Sequence, residues 1–217
     1  WEICLAFLDD VIVMSDSFEQ HVERLRTVFS RFRESKLKLR ADKCALFQKK
    51  VKFLGNLVSG DGIEPDPDKI RAVKEWPRPL CVRDVRSFVA LASYYRRHIR
   101  SFADVARPLH DLTKKHLPFV WGRAQQTSFE ELKRSLISAP ILTTPLREGE
   151  YTVDTDASDH ALGAVLQQQQ GGVLKVIAYA SRVLQPAEKS YCTTRKELLA
   201  IIYGLKQFRH YLLITPF

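Results

Sequence analysis

The sequence is poor in cysteine, and its few cysteines are scattered. Cys4, Cys44, Cys81 and Cys192 form no CxxC pair within the 217 residues. Neither a zinc site nor a disulfide framework is therefore indicated, and this usage favours a reducing compartment. The six histidines also lack metal-ligand spacing.

Long apolar runs are absent as well. No stretch approaches the roughly 20 apolar residues that a membrane-spanning helix needs. Hydrophobic residues nevertheless make up 45% of the chain, which is enough to bury a core and argues against a disordered tail. Because the chain begins with Trp1 rather than Met, we expect it to be part of a longer protein.

Acidic residues are outnumbered by basic ones, and the formal net charge is +9. The basic excess is concentrated in residues 24–52 and 69–115, and aromatics are interleaved with it in "SYYRRHIRSF" (93–102). A solvated basic surface is the commoner meaning of any single cluster. Two clusters with aromatics favour a polyanionic partner, most simply nucleic acid.

Two adjacent acids, Asp9 and Asp10, interrupt an apolar stretch in "LAFLDDVIV" (5–13). The flanking residues predict strands at 4–8 and 11–14, with the acids between them. Tight two-residue turns prefer Asn-Gly, Asp-Gly or a leading glycine, so turn chemistry does not account for this pair. Adjacent carboxylates ionise together most readily beside a cation, which predicts a divalent-metal site. An ordinary surface turn is the alternative.

Patterns that follow predict a helix and a hairpin. Ser17 and Gln20 form a capping box. The apolar face of this helix is predicted to consist of Phe18, Val22, Leu25, Phe29 and Phe32. Residues 51–63 alternate in polarity and end in Gly-Asp-Gly, which predicts a hairpin.

The middle of the chain is predicted to be helical. Asp66 and Pro67 begin a short helix that Pro77 ends, and Thr127 with Glu130 begins another at about 127–138. Between them, the helix predicted at about 82–100 directs five residues toward a core: Val85, Phe88, Val89, Ala92 and Ile99. Its arginines lie elsewhere on the helix surface: Arg83, Arg86, Arg96, Arg97 and Arg100.

Prolines and a glycine in residues 139–150 predict a domain boundary. Beyond it, three strand candidates and a long amphipathic helix predict an α+β or α/β unit.

This last region contains a second group of acids. Asp154, Asp156 and Asp159 lie on and after the first strand, and Glu197 lies near the start of the helix. A strand-end acid and one in the first turn of a crossing helix can converge on Mg²⁺. Alternatively, Glu197 complements the helix N-terminus and Asp159 solvates a turn.

Motifs in a fixed order run through essentially the whole chain. They include "FLDDVIVMS", "ADKCALFQKKVKFLGNLVSGDGIEPDPDKI", "WPRP", "VRSFVALASYYRRHI", "ARPLHDLTK", "TDASDHALGAVLQQ", "IAYASRVL" and "KELLAIIYGLKQFRHYL". In this order they resemble the Pol polyproteins of gypsy-type LTR retrotransposons. The resemblance implies part of an RNA-directed DNA polymerase with RNase H, which copies RNA into DNA and degrades RNA in RNA/DNA hybrids.

The resemblance also implies an α+β multidomain fold with three segments. Residues 1–62 correspond to the C-terminal part of the reverse transcriptase palm, with hairpins and a helix. Residues 63–148 correspond to the helical thumb and connector. Residues 149–217 correspond to the first three strands and first helix of an RNase H-like domain.

Site residues follow by matching the family motifs. Asp9 and Asp10 match the polymerase YXDD box, here "FLDD", and are expected to hold Mg²⁺ or Mn²⁺. Asp156 and Glu197 match the first two RNase H carboxylates, whereas Asp154 falls outside that motif. Lys43 is similar to a lysine that protonates the leaving pyrophosphate.

The family's partners are an RNA/DNA template-primer, deoxynucleotides and the rest of the Pol polyprotein, in cytoplasmic particles. The primer-grip hairpin matches Phe53, Leu54, Gly55 and Asn56, with Asn56 where the family usually has His. The thumb helix is expected along the duplex minor groove. Its contacting residues are expected to be Arg83, Arg86, Tyr94, Arg96, Arg97 and Arg100.

Family members need a third polymerase carboxylate and two further RNase H acids that these residues do not contain. We therefore expect the isolated 217 residues to give little or no primer extension with Mg²⁺, and robust turnover would contradict this. A truncated or domesticated remnant that binds duplex without chemistry is the alternative, and metal-independent, salt-sensitive duplex binding would favour it.

Overall fold

A computed structural model describes residues 3–115, 117–146, 148–213 and 217. Its contacts divide the chain into two compact units, Trp1–Gly60 and Asp61–Phe217. The predicted α+β class is confirmed. Residues 214–216, at the end of the predicted third segment, lie outside the described residues.

Two hairpins and a helix make up the first unit. Its elements are β1 (Cys4–Phe7), β2 (Asp10–Val13), α1 (Phe18–Glu34), a 3₁₀ turn (Ala41–Lys43), β3 (Lys50–Phe53) and β4 (Asn56–Ser59). β1 pairs antiparallel with β2, and β3 with β4. Both predicted hairpins are therefore confirmed.

Helix α1 begins where its capping residues predict. The Gln20 amide donates to Ser17 Oγ at 3.2 Å, and Gln20 Oε1 accepts from the Asp16 amide at 2.9 Å. The predicted apolar face is partly wrong, because Phe18 is 64% and Phe29 is 37% exposed. The buried residues of α1 are Leu25 and Val28, so the buried stripe runs through Val28 instead of Phe29.

Helices form the first half of the second unit, Asp61–Phe217. After β5 (Gly62–Pro65) come α2 (Pro67–Lys74), α3 (Val82–Tyr94), α4 (Phe102–Asp111) and α5 (Arg123–Ile137). The Asp66 carboxylate accepts from the Asp68 amide at 3.0 Å and begins α2 as predicted. The five predicted core residues of α3 and the turn beyond it are buried, and they pack with Leu109, Phe129 and Leu132 in one core.

Two predicted helix bounds are wrong. α3 ends at Tyr94 rather than near 100, because a 3₁₀ turn (Arg96–His98) follows and Ser101 takes a left-handed φ of 52° that redirects the chain into α4. α5 begins at Arg123 rather than Thr127, because Gln125 Oε1 accepts from the Gly122 amide at 3.1 Å and caps the helix one turn earlier.

A three-stranded sheet and a helix form the second half, as predicted. The strands β6 (Tyr151–Ala157), β7 (Ala161–Gln170) and β8 (Val173–Val183) form an antiparallel meander, and α6 (Thr193–Gln207) and α7 (Arg209–Leu212) follow. Helix α6 packs so closely on one sheet face that a Cβ at Gly204 would lie 3.0 Å from Thr155 Cγ2. Helix α4 packs on β7 and β8. Within the described ranges, no helix is long and apolar enough to cross a membrane.

The connector at 139–150 is bonded to the surrounding structure on both sides. Leu142 exchanges two 2.8 Å backbone hydrogen bonds with Ile63, and the Thr143 amide donates to the Val176 carbonyl at 2.9 Å. His98 Nδ1 lies 3.2 Å from the Pro140 carbonyl, to which it donates, and burial lowers the pKa of this imidazole. The predicted boundary here therefore does not separate two compact units.

Two buried glutamines of β7 complete the attachment. Gln168 is fully buried; its Oε1 accepts from the Leu146 amide at 2.9 Å, and its Nε2 donates to the Leu146 carbonyl at 3.0 Å. Gln170 Nε2 donates to the Thr144 carbonyl at 3.0 Å and lies 2.8 Å from Gln168 Oε1. These amides replace the water that the connector backbone would otherwise need.

We expect Gln168→Leu to lower the free energy of unfolding by about 1–3 kcal/mol, because the two hydrogen bonds between the buried Gln168 amide and the Leu146 backbone would be lost. Urea unfolding of the 217-residue chain measures this. The matched control is Gln169→Leu, at the exposed neighbouring position. Equal urea midpoints for the two variants would contradict the expectation.

Candidate nucleic-acid and metal sites

The acidic pair lies at the tip of the first hairpin. Phe7 pairs with Asp10, so the two-residue turn consists of Leu8 and Asp9. The prediction that both acids lie between the strands is therefore wrong by one residue, because Asp10 begins β2. Both acids are exposed.

This turn is strained at its first position. Leu8 has a φ of 52° and is 88% exposed. A bulky residue rarely adopts this left-handed region, and such strain clusters at functional sites. The conformation places the two carboxylates in succession at an exposed tip.

The second hairpin repeats the arrangement. Leu54 and Gly55 form its two-residue turn with φ values of 45° and 65°, as a type I′ turn requires. Asn56 Nδ2 donates to the Leu54 carbonyl at 2.9 Å, and Phe53 pairs with Asn56. The Asn56 side chain thus stabilises the strained turn.

Lys43 is exposed at the end of the 3₁₀ turn of the first unit. The preceding Asp42 pairs with Arg40 at 2.6 Å, and this bond holds the pKa of the Asp42 carboxyl below its ordinary value. The role of Lys43 stays a prediction.

The arginines predicted to lie on one helix surface fall into two groups. Arg96 and Arg97 belong to the 3₁₀ turn and bond to later elements. An Arg96 guanidinium nitrogen donates to the Ser181 carbonyl of β8, and Arg97 Nη2 donates to Tyr211 Oη of α7 at 3.1 Å. The Arg96 guanidinium also lies over the Phe102 ring at 5.4 Å. Arg96 and Arg97 therefore lie beyond the end of α3, but both residues are exposed, and their contact with nucleic acid stays a prediction.

The other predicted contact residues are at the surface as well. Arg83, Arg86, Tyr94 and Arg100 are exposed. Arg86 Nη2 donates to the Thr113 carbonyl at 3.2 Å, and the Tyr94 ring meets Tyr95 edge-on at 4.9 Å. A polyanion could reach this group of side chains.

Asp156 and Glu197 lie at the same end of the sheet. The helix that carries Glu197 packs on one sheet face, and the Asp156 side chain points to the other face. In β6, Thr155 faces α6, so Asp156 points to the opposite face. Asp156 is exposed, and Glu197 is half-buried in the second turn of α6 rather than in the first turn as predicted. Asp154 lies on the same face as Asp156 and accepts a hydrogen bond from Gln167 Nε2.

One ion pair and one hydrogen-bonded contact at this end of the sheet were not predicted. Lys196 Nζ lies 2.8 Å from Asp159 Oδ1, and this bond holds the pKa of the Asp159 carboxyl below its ordinary value. Ser158 Oγ lies 2.9 Å and 3.1 Å from the two carboxylate oxygens of Asp104. Sequence marks Ser158 as a turn residue, but no local signal connects it to Asp104, 54 residues earlier.

Among the described residues, no group of three or more histidine, cysteine, aspartate or glutamate side chains could hold a metal ion. The candidate sites therefore consist of carboxylate pairs, Asp9 with Asp10 and Asp156 with Glu197.

Two family models match the chain. Residues 2–58 match "Reverse transcriptase (RNA-dependent DNA polymerase)", and residues 121–217 match "RNase H-like domain found in reverse transcriptase". The first match contains the acidic hairpin and the second hairpin. The second contains α5, the sheet and α6.

Curated relatives extend this match over nearly the whole chain. The Pol polyprotein from transposon 297 of Drosophila melanogaster is 40% identical over 99% of this chain, and that from transposon gypsy is 36% identical over 97%. The chain belongs to the retrovirus-related Pol polyproteins. The Tf2-3 polyprotein of Schizosaccharomyces pombe is 32% identical over 98% of it. The chain spans about one fifth of the length of the Drosophila relatives.

Solved structures share the Pol fold. The foamy viral protease-reverse transcriptase in complex with double-stranded DNA matches with a TM-score of 0.83 and 22% identity, over 95% of this chain and 37% of that one. The same enzyme with an RNA/DNA hybrid gives a TM-score of 0.83 over 95% of this chain and 28% of that one. At this identity the likeness establishes the fold.

We expect Asp159→Asn to lower the stability of the chain at pH 7, because it removes the partner of the Lys196 side chain, which is only 10% exposed. Since folding lowers the pKa of Asp159, this contribution is present above the ordinary carboxyl pKa and is lost as the pH falls through the folded-state value. Urea midpoints of the two proteins should converge in that range.

The control for this experiment is Asp111→Asn. Asp111 pairs with Lys114 at 2.6 Å, but that lysine side chain is 64% exposed. An exposed pair contributes little, so a loss of stability as large as that of Asp159→Asn would contradict the importance of burial.

Proposed function

We propose that this chain contributes palm, thumb and RNase H-like segments to an RNA-directed DNA polymerase with RNase H. The observation that carries the proposal is the exposed hairpin tip with Asp9 and Asp10, which lies within the region that matches reverse transcriptases. The proposed segments are residues 1–62, 63–148 and 149–217.

The donor chemistry at the hairpin tip fits Mg²⁺. Asp9 and Asp10 provide hard oxygen ligands at an exposed position, and Mg²⁺ is commonly held by one or two carboxylates together with substrate phosphates. When bound, the ion would lower the pKa of a primer 3′-hydroxyl and neutralise charge on the transferred phosphate. Asp9 and Asp10 would hold it where a deoxynucleotide triphosphate approaches.

Asp156 and Glu197 are the corresponding pair for RNase H chemistry. They lie at one end of the sheet, where Asp156 on β6 and Glu197 on α6 would each provide carboxylate oxygens to a divalent ion. As carboxylates they also suit Mg²⁺ or Mn²⁺. Their proposed substrate is the RNA strand of an RNA/DNA hybrid.

Nucleic acid would be held by two surfaces. Phe53, Leu54, Gly55 and Asn56 form the turn proposed to position the primer end, and Lys43 would donate a proton to pyrophosphate. On the second unit, a group of exposed side chains would contact duplex phosphates without reading sequence: Arg83, Arg86, Tyr94, Arg96, Arg97 and Arg100. A cytoplasmic retrotransposon particle is the proposed location.

Asp9→Asn in the Pol protein that contains this segment should abolish Mg²⁺-dependent DNA synthesis and leave duplex affinity unchanged.

The double variant Arg83→Gln/Arg100→Gln should weaken duplex binding and reduce the slope of log K against log salt by about 2, because two phosphates would no longer be neutralised by the protein. Gel-based primer extension and binding titrations at several salt concentrations measure these effects.

Lys175→Gln is the control, because Lys175 is an exposed cation of β8 outside this surface. If Asp9→Asn preserves DNA synthesis, the polymerase assignment is wrong. If Lys175→Gln lowers the salt slope as much per charge as the arginine variant does, the assignment of duplex binding to the arginine surface is wrong.

A further inference from the structure

The first turn of α4 is bonded to the sheet instead of being capped by its own residues. Ser101, at the N-cap, makes no side-chain capping bond. The Ala103 amide donates instead to Ser181 Oγ of β8 at 2.9 Å, and Ser181 is 2% exposed. Next to it, the Asp104 carboxylate accepts from Ser158 Oγ. Sheet side chains thus fix the start of this helix.

Ser158 uses all of its hydrogen-bonding capacity in this arrangement. Its hydroxyl oxygen accepts from the His160 amide at 3.1 Å and the Ala161 amide at 2.9 Å, and these bonds shape the turn between β6 and β7. Its one proton can go to the Asp104 carboxylate, at 2.9 Å, or to the Ala161 carbonyl, at 3.3 Å. The shorter bond to a charged acceptor is the stronger one.

Asp156 lies two residues before Ser158, so alternation along the chain places both on the same face. Gly163 pairs with Asp156 and with Ser181 across the sheet, which aligns the three positions under the start of α4. The turn that Ser158 shapes thus begins directly after the end of β6, which carries Asp156.

We propose that Asp104 is a positioning residue for RNase H chemistry, which acts through Ser158 to hold the turn that follows Asp156. Asp104 belongs to helix α4, so its bond couples that helix to the RNase H-like site. This inference rests on the proposed function of Asp156.

The coupling is separable from docking of the helix. Ala103 and Arg96 both bond to Ser181, and neither bond involves Asp104. The buried side chains Phe102, Ala106 and Leu109 also hold α4 in its core. Loss of the Asp104 carboxylate should leave the helix in place and release only the turn.

The experiment compares Asp104→Ala and Ser158→Ala in the Pol protein that contains this segment. Asp111→Ala, in an exposed pair at the other end of α4, is the matched control. RNase H cleavage of an RNA/DNA hybrid should show a kcat about 10-fold lower for both variants, with KM and DNA synthesis unchanged. The double variant should be no worse than Ser158→Ala, and Ser158→Thr should restore cleavage.

A second readout does not depend on activity. In the 217-residue chain, hydrogen exchange of the His160 and Ala161 amides should be faster in Asp104→Ala than in Asp111→Ala, while exchange of the Ala103 amide is unchanged. Equal exchange at the turn would overturn the inference.

An unchanged kcat for cleavage in Asp104→Ala would also overturn the inference. Equal losses of cleavage and DNA synthesis, together with a lowered melting temperature, would overturn it as well, because they indicate a structural role. Asp156→Asn separates the two levels. If Asp156→Asn abolishes cleavage and Asp104→Ala does not affect it, only the positioning role is wrong. If Asp156→Asn cleaves normally, the RNase H assignment is wrong and the positioning role with it.

Discussion

The unit Asp61–Phe217 depends on one constraint, which is that buried backbone groups of irregular segments must find hydrogen-bond partners. Side chains of the sheet meet this constraint. Gln168 and Gln170 bond the connector, and Ser181 bonds the start of α4. Leaving one buried polar group unpaired costs about as much free energy as several hydrogen bonds contribute. These few amides and hydroxyls therefore determine how helices α2–α5 and the β6–β8 sheet are joined.

Local signals in the sequence predict most of the elements but not how they are joined. Asp66 begins α2 and Ser17 begins α1 because a capping bond needs only residues that are near in sequence. The end of α3 is not predictable in this way, since it depends on burial of Tyr95 and His98 within the core and on the left-handed Ser101. Prolines in the connector indicate a break, whereas distant glutamines keep it attached.

The candidate sites divide in the same way. Adjacency in sequence is enough to find Asp9 with Asp10, because a hairpin tip presents neighbours together. Asp104 and Ser158 could not be found, because a contact across 54 residues leaves no periodic trace. Arg96 and Arg97 are assigned to nucleic acid by their charge and by the resemblance of their segment to a thumb helix. A guanidinium offers five donors that suit carbonyl and hydroxyl acceptors within the protein equally well, so composition does not distinguish these uses.

Strain at the two hairpin tips connects the fold of the first unit to its proposed chemistry. Leu8 and Leu54 both adopt positive φ at the first position of a two-residue turn, where Asn or Gly would be relaxed. Gly55 relieves the second position of one turn, and the Asn56 side chain bonds back to the Leu54 carbonyl. In the other turn the positive φ is at Leu8, and Asp9 occupies the second position. A sequence selected only for hairpin stability would not place a leucine at the first position, so the strain at Leu8 supports a role outside the turn for the exposed tip that carries Asp9.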